Sequence, residues 1–173
     1  MQYFNSDLDF GEGKYKKEIE EFIKDHLKID KLQEVGSTQE GIKKGYDYVA
    51  EINGKKTKIE RKLRRKCYGD MLIEYQSNTP TDKEGKTETR AGWITKSKAQ
   101  IFFYLWLDKN RISGWVFDLP KLRKWYHENR KRYPTNFSQN PKYKTHFSIV
   151  PISNIPNECF FEATELQKKL AIA

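Results

Sequence analysis

The chain has 173 residues, with 33 Lys or Arg against 24 Asp or Glu, a formal net charge of +9. A third of it is charged and only 36% is hydrophobic, yet 10 Phe, 10 Tyr and 4 Trp supply large rings that disordered chains lack, so a folded, polar domain is expected. No apolar run reaches the roughly 18 residues of a membrane span, the acidic start MQYFNSDLDFGEG lacks the basic-then-apolar order of a leader peptide, and Cys67 and Cys159 alone cannot build a disulfide framework or a four-thiolate zinc site. The expectation is a soluble cytoplasmic protein, not secreted and not bound to a membrane.

In chain order, residues 14–29 place Tyr15, Ile19, Phe22, Ile23 and Leu27 at helical spacing, predicting an amphipathic helix. Gly36 and Gly41 mark a loop. From Gly45 the period changes to that of strands: YDYVAEI, TKIERKL and DMLIEYQS predict an antiparallel three-strand meander, with Asn53-Gly54 as a hairpin turn. Residues 78–92 carry no large apolar side chain and predict an exposed loop. SKAQIFFYLWL (97–107) is apolar almost all round, which predicts a buried helix, a strand being the alternative. ISGWVF predicts a further strand. Asp118 followed by Pro120 starts a basic helix through KLRKWYHENRKR, and PTNFSQNP reads as a connector. HFSIVPI predicts a late strand that Pro151 pushes to a sheet edge, and residues 163–170 a short final helix. The fold class expected is α/β, leaning to α+β: one domain with its core at about 10–120 and a basic helical and late-strand appendage at about 119–173.

The charge is uneven. Residues 1–34 hold nine acids and six lysines, a net of −3, so the rest of the chain carries +12. Two basic clusters interleaved with other residue types, Lys55–Lys66 and Lys121–Arg132, form the electrostatic footprint of a phosphate-backbone binder, the plainer reading being a solvated basic face.

One set of residues carries chemistry. Asp47 falls in the first strand of the meander, and Glu60-Arg61-Lys62 in the second. Residues two apart on a strand share a face, so Glu60 and Lys62 point to one side. Asp47 needs only the matching face of the opposing strand to approach them. Paired carboxylates suit Mg2+, and a lysine beside them can orient or deprotonate an attacking water, as phosphodiester hydrolysis requires. Alternatively the trio is a solvated strand face of alternating charge. Glu74 on the third strand is either a further ligand or part of a polar face. Trp93 and Trp125 are candidates for stacking on bases, whereas Trp106 and Trp115 read as core.

Gly45-Tyr46-Asp47 followed, after a turn, by Ile59-Glu60-Arg61-Lys62 resembles the PD-(D/E)xK nuclease superfamily, the small phage or mobile-element endonucleases in particular. Asp47 and Glu60 stand thirteen residues apart, within the family's spacing. No proline precedes Asp47; Tyr46 stands in its place. The resemblance implies a restriction-endonuclease-like core of helix, three-strand meander, helix and strand, a central mixed sheet flanked by helices. It implies Asp47 and Glu60 as metal ligands, Lys62 as the catalytic lysine, and Glu18 as a helix-borne acid, with Glu20 and Glu21 as its rivals. GWITKSKA (92–99) is similar to the segment that opens the family's second helix, where Lys96, Ser97 and Lys98 form a phosphate site. Lys58, Arg64, Arg65, Arg123 and Lys124 complete the expected nucleic-acid contacts. The implied activity is Mg2+-dependent DNA endonuclease cleavage, with Mn2+ as a substitute and a homodimer where both strands are cut. A non-catalytic nucleic-acid-binding accessory protein on the same fold is the alternative, and a module docking on an acidic protein is a third reading.

Overall fold

The computed structural model describes residues 14–78, 87–109, 111–139 and 144–161. The acidic start, most of the 78–92 loop and the helix expected at 163–170 lie outside the described residues. The protein is a mixed α/β structure with two sheets.

The first helix forms as expected. In α1 (Lys16–Leu27) the apolar spacing buries Ile19, Ile23 and Leu27, and the chain leaves it through Lys28 in the left-handed region (φ 53°). The stretch read as a loop instead holds a short strand, β1 (Leu32–Glu34), and a six-residue helix, α2 (Gln39–Lys44). Thr38 caps α2 by accepting from Gly41 N–H at 3.1 Å. β2 (Tyr48–Ile52) and β3 (Lys55–Arg64) make the expected hairpin. Asn53 and Gly54 at its turn both have positive φ, 51° and 74°, the geometry that matches the strands' right-handed twist.

The meander ends there. β4 (Asp70–Asn78) does not pair with β3; it leaves the sheet and pairs with β9 (Lys144–Pro151) and with β5 (Thr89–Ala91). The connector read at PTNFSQNP is strand β8 (Thr135–Gln139), so the second sheet runs β5-β4-β9-β8, antiparallel throughout. β9 therefore lies inside its sheet rather than at the edge. Pro151, its last residue, lies where its missing N–H does not interrupt the ladder.

The helix expected over 97–107 is also a strand. After a four-residue helix, α3 (Trp93–Lys96), the chain enters β6 (Ile101–Asp108) parallel to β3, and β7 (Arg111–Asp118) returns antiparallel to it. The first sheet is thus β1-β2-β3-β6-β7, a mixed sheet. β6 is buried on both faces. Ile101, Phe103 and Leu105 pack with α1, Tyr48 and Ile59; Phe102 and Tyr104 pack on the other side. A central strand covered on both sides reads as a continuous apolar run, which removes the period-2 signal.

α4 (Leu119–Asn129) starts as expected, with Asp118 Oδ1 accepting from Lys121 N–H at 3.0 Å and Pro120 in the first turn. Its Leu119, Leu122 and Tyr126 bury against Phe102 and Phe117 of the first sheet and Met71, Ile73 and Val150 of the second. Helices therefore flank the five-stranded sheet, α1 on one face and α4 on the other, where the second sheet joins the core. Among the described residues no helix is long and apolar enough to cross a membrane.

Candidate active site

Asp47 sits just before β2 with its backbone held from both sides. Its N–H donates to Ile59 O at 2.8 Å, and its carbonyl accepts from Val35 and Gly36 N–H at 2.7 and 2.9 Å. Its carboxylate is fixed in turn, because Arg61 N–H donates to Oδ2 at 2.8 Å. Gly36 leaves room for it: a Cβ there would stand 3.1 Å from Asp47 Oδ1.

Glu60 lies on β3 with its side chain on the sheet face away from α1, and only 6% of the residue is exposed. Its neighbour on the same face, Lys62, brings Nζ to 3.8 Å from Glu60 Oε1. Lys62 keeps 43% of its side chain exposed, whereas the Glu60 side chain beside it is buried.

The electrostatics follow from this arrangement. Burial, joined by the Asp47 carboxylate and opposed by Lys62, Lys96 and Arg61, pushes the Glu60 carboxyl up to about 8. Burial acts to lower Lys62, but Glu60, Asp47 and Glu74 more than offset it, so the ammonium is held above its ordinary range. Two carboxylates thus converge where one of them resists ionisation, and two lysines approach the same point from different elements.

Lys96, at the end of α3, is brought there by contacts sequence reading had assigned otherwise. Arg123 is half-buried, and its guanidinium is engaged within the protein. Its Nε donates to Ile94 O at 2.6 Å and its Nη2 to Ser97 O at 2.5 Å, tying α3 to α4. Ser97 is not the start of a helix but the C-terminal cap of α3; it is fully buried, and its Oγ accepts from Ala99 N–H at 3.2 Å. The hydrogen bonds of both residues are spent on the framework that carries Lys96. Gly92, one residue before α3, lies so close to β4 that a Cβ would fall 2.4 Å from Glu74 O.

The remaining basic residues divide. Lys58 shares the Glu60–Lys62 face, its Nζ 5.3 Å from the centre of the Tyr46 ring. Lys98 is exposed, anchored through its N–H to Lys44 O at 2.9 Å. Arg64 Nη1 bridges Asp70 Oδ1 at 2.8 Å and Tyr104 Oη at 2.9 Å. Arg65 is exposed in the β3–β4 turn, and Lys124 is exposed on α4. Trp93 is buried and stacks on Phe102 with ring centres 4.5 Å apart, so it is core rather than a base platform.

Glu18 is not brought to this site. It is exposed in the first turn of α1, a helix that packs on the opposite face of the sheet. Its rival Glu20 acts on Lys16 and Tyr48 instead. The acid that does act on Lys62 is Glu74 of β4, whose Oε1 accepts from Ser77 Oγ at 2.9 Å. The signal for it lay in the alternation of β4: Met71, Ile73 and Tyr75 are buried and Glu74 takes the other face.

Among the described residues no group of three or more His, Cys, Asp and Glu side chains is disposed to hold a metal ion. Asp47 and Glu60 are two hard oxygen donors in a partly buried spot. That donor set fits Mg2+ or Mn2+, which keep several waters, and does not fit zinc, which takes three or four nitrogen, sulfur or oxygen ligands from the protein. Comparison of the chain with protein-family models, curated proteins and solved structures finds no match.

Proposed function

We propose that the protein is a metal-dependent nuclease that hydrolyses phosphodiester bonds in DNA, with Asp47, Glu60 and Lys62 as its centre. The observation that carries this reading is the convergence of Asp47 and Lys62 on a Glu60 carboxylate buried at 6% exposure and pushed up to about 8. A buried carboxyl that keeps its proton this long ionises only at a cost, and a bound cation would offset that cost. Asp47 and Glu60 would hold the ion. An ion held by these two carboxylates would supply Lewis-acid polarisation of the phosphate and a more acidic water.

The chain's own groups do the rest. Arg61 N–H keeps Asp47 from rotating, so one face of its carboxylate stays directed to the site. Lys62, half-exposed beside Glu60, orients the attacking water and offsets charge that develops on the phosphate oxygens. Lys58, Lys96 and Lys98 neutralise the phosphates on either side. A basic surround with an acidic centre is the arrangement a polyanionic substrate needs when the catalytic ion must still be held. The net charge of +9 agrees with such a partner.

The test is incubation of supercoiled plasmid and of a branched DNA with wild type and Lys62→Ala in Mg2+, Mn2+ and EDTA. Cutting in either metal that stops in EDTA and in the variant is the expected result. Salt-dependent binding in both proteins with no cutting in either metal would replace this reading with that of a nucleic-acid-binding accessory protein.

A further inference from the structure

The strand that carries Glu60 and Lys62 continues, on the same face, into an aromatic and basic surface that the proposed chemistry does not use. Arg64 lies two residues beyond Lys62, about 7 Å along the strand. It is opposite Trp106 in the parallel ladder, and Lys62 is opposite Tyr104. Trp106 and Trp115 are half-buried and in contact on the adjoining strands, their ring centres 4.2 Å apart. The turn that follows carries Tyr68, whose ring is 52% exposed.

Tyr68 has two cations on it. The Arg64 guanidinium lies 4.4 Å from the ring centre and Lys66 Nζ 4.9 Å. The two are not equivalent. Arg64 is locked by Asp70 Oδ1 and Tyr104 Oη, so it holds the ring in place. Lys66 is exposed at the end of a flexible stem, so an incoming aromatic group can take its place on the ring. The displaced ammonium then lies beside the group that displaced it. A nucleotide is such a group, with a flat base for the ring and a phosphate for the lysine. Paired bases inside a duplex present no free face, whereas unpaired bases do.

We infer that Tyr68, backed by Arg64 and flanked by Arg65 and Lys66, is a stacking platform for unpaired nucleotides next to the cleavage site, which makes the substrate DNA that carries a single-stranded branch or tail. This rests on the nuclease reading for its location, but it is testable without catalysis. The ring supplies the affinity for the base, and the face it shares with Lys62 places the junction of paired and unpaired DNA at the carboxylates.

The experiment is equilibrium binding by fluorescence anisotropy in EDTA. The probes are a forked DNA with a thymidine tail and a blunt duplex with the same number of phosphates, and the proteins are wild type, Tyr68→Ala, Tyr68→Trp and Lys62→Ala. One stacked base accounts for roughly a 5- to 150-fold change in affinity. Tyr68→Ala is expected to lose that factor on the fork and less than twofold on the duplex. Tyr68→Trp is expected to retain fork binding with quenching of the new indole, which separates a lost platform from a disturbed turn. Equal losses on fork and duplex, or no loss on the fork, would overturn the platform. Binding that depends on Tyr68 in a protein that cuts neither DNA in Mg2+ would leave the platform standing and overturn the nuclease reading alone.

Discussion

Replacing Glu60 by glutamine should stabilise the metal-free protein while it removes the proposed activity. The argument turns on where the proton sits. The unfolded chain releases it with a pKa near 4.5, whereas the folded protein holds it until about pH 8. Below pH 4.5 both states are protonated, and Glu60 costs nothing. Between 4.5 and 8 the unfolded state gains from ionisation that the folded state cannot share, so stability falls by about 1.4 kcal/mol per pH unit from this group. Above pH 8 the loss is constant. Integrated between pH 5 and pH 8.5, wild type should lose about 4 kcal/mol that Glu60→Gln does not lose. Glutamine matches the protonated acid in shape, so the two proteins should be nearly equal at pH 5. Urea denaturation in EDTA at both pH values reads the difference directly, as a midpoint gap of about 2 M that opens at the higher pH. Mg2+ should close the gap by stabilising wild type alone, by about 2.7 kcal/mol at a hundred times its dissociation constant. A wild-type and Glu60→Gln difference that stays flat from pH 5 to pH 8.5 in EDTA would refute the reasoning, because it would mean that the buried carboxyl ionises normally.

Lys62→Ala removes the cation nearest Glu60, so it should hold the Glu60 proton to a higher pH than wild type and cut DNA about 10²- to 10⁴-fold more slowly, as measured by single-turnover cleavage. Arg123→Ala should leave the salt dependence of DNA binding untouched and lower stability by about 2 kcal/mol, because two buried carbonyls at the end of α3 lose a charged donor; calorimetry should show a Tm fall of about 4–8 °C. Lys96→Ala and Lys98→Ala should each reduce the slope of log affinity against log salt by about 1, measured on duplex DNA. Gly36→Ala places a Cβ 3.1 Å from Asp47 Oδ1, so cleavage should fall at least about tenfold with little change in DNA affinity.

The hairpin and its trio were legible because their signals are local. Asn53-Gly54 specifies the turn, and the spacing from the turn sets Tyr48 opposite Ile59, which brings Asp47 beside Arg61 and Glu60. The helix at Asp118 was legible for the same reason, a capping side chain with a proline after it. What failed was non-local. β6 reads as a buried helix because two different cores claim its alternate residues, and that sandwiching is visible only once α1 and α4 are in place. β4 reads as a third meander strand because nothing near it announces that its partner is β9, more than sixty residues on. The framework bonds of Arg123 and Ser97 were not legible, for one shared reason. A basic residue and a hydroxyl in polar sequence look like ligand contacts until the carbonyls and N–H groups they satisfy are known.

The same topology decides where a third acid can come from. α1 meets the sheet with Ile19, Ile23 and Leu27 against Tyr48, Ile59 and Phe103, on the face opposite Glu60. Its exposed Glu18 would have to pass around the sheet edge to reach the carboxylates. β4 has no such obstacle. After the turn at Gly69 it carries Glu74, which acts on the Lys62 ammonium and accepts from Ser77 Oγ. Glu74→Gln should therefore weaken the hold on Lys62 by an interaction on the order of 1–2 kcal/mol, and cleavage should fall roughly tenfold. Glu18→Ala and Glu20→Ala should stay within twofold of wild type. Single-turnover cleavage of one substrate by the three variants separates the possibilities. A loss in Glu18→Ala comparable to that in Lys62→Ala would mean that α1 reaches the site after all, and the assignment of the third acid to β4 would fail with it.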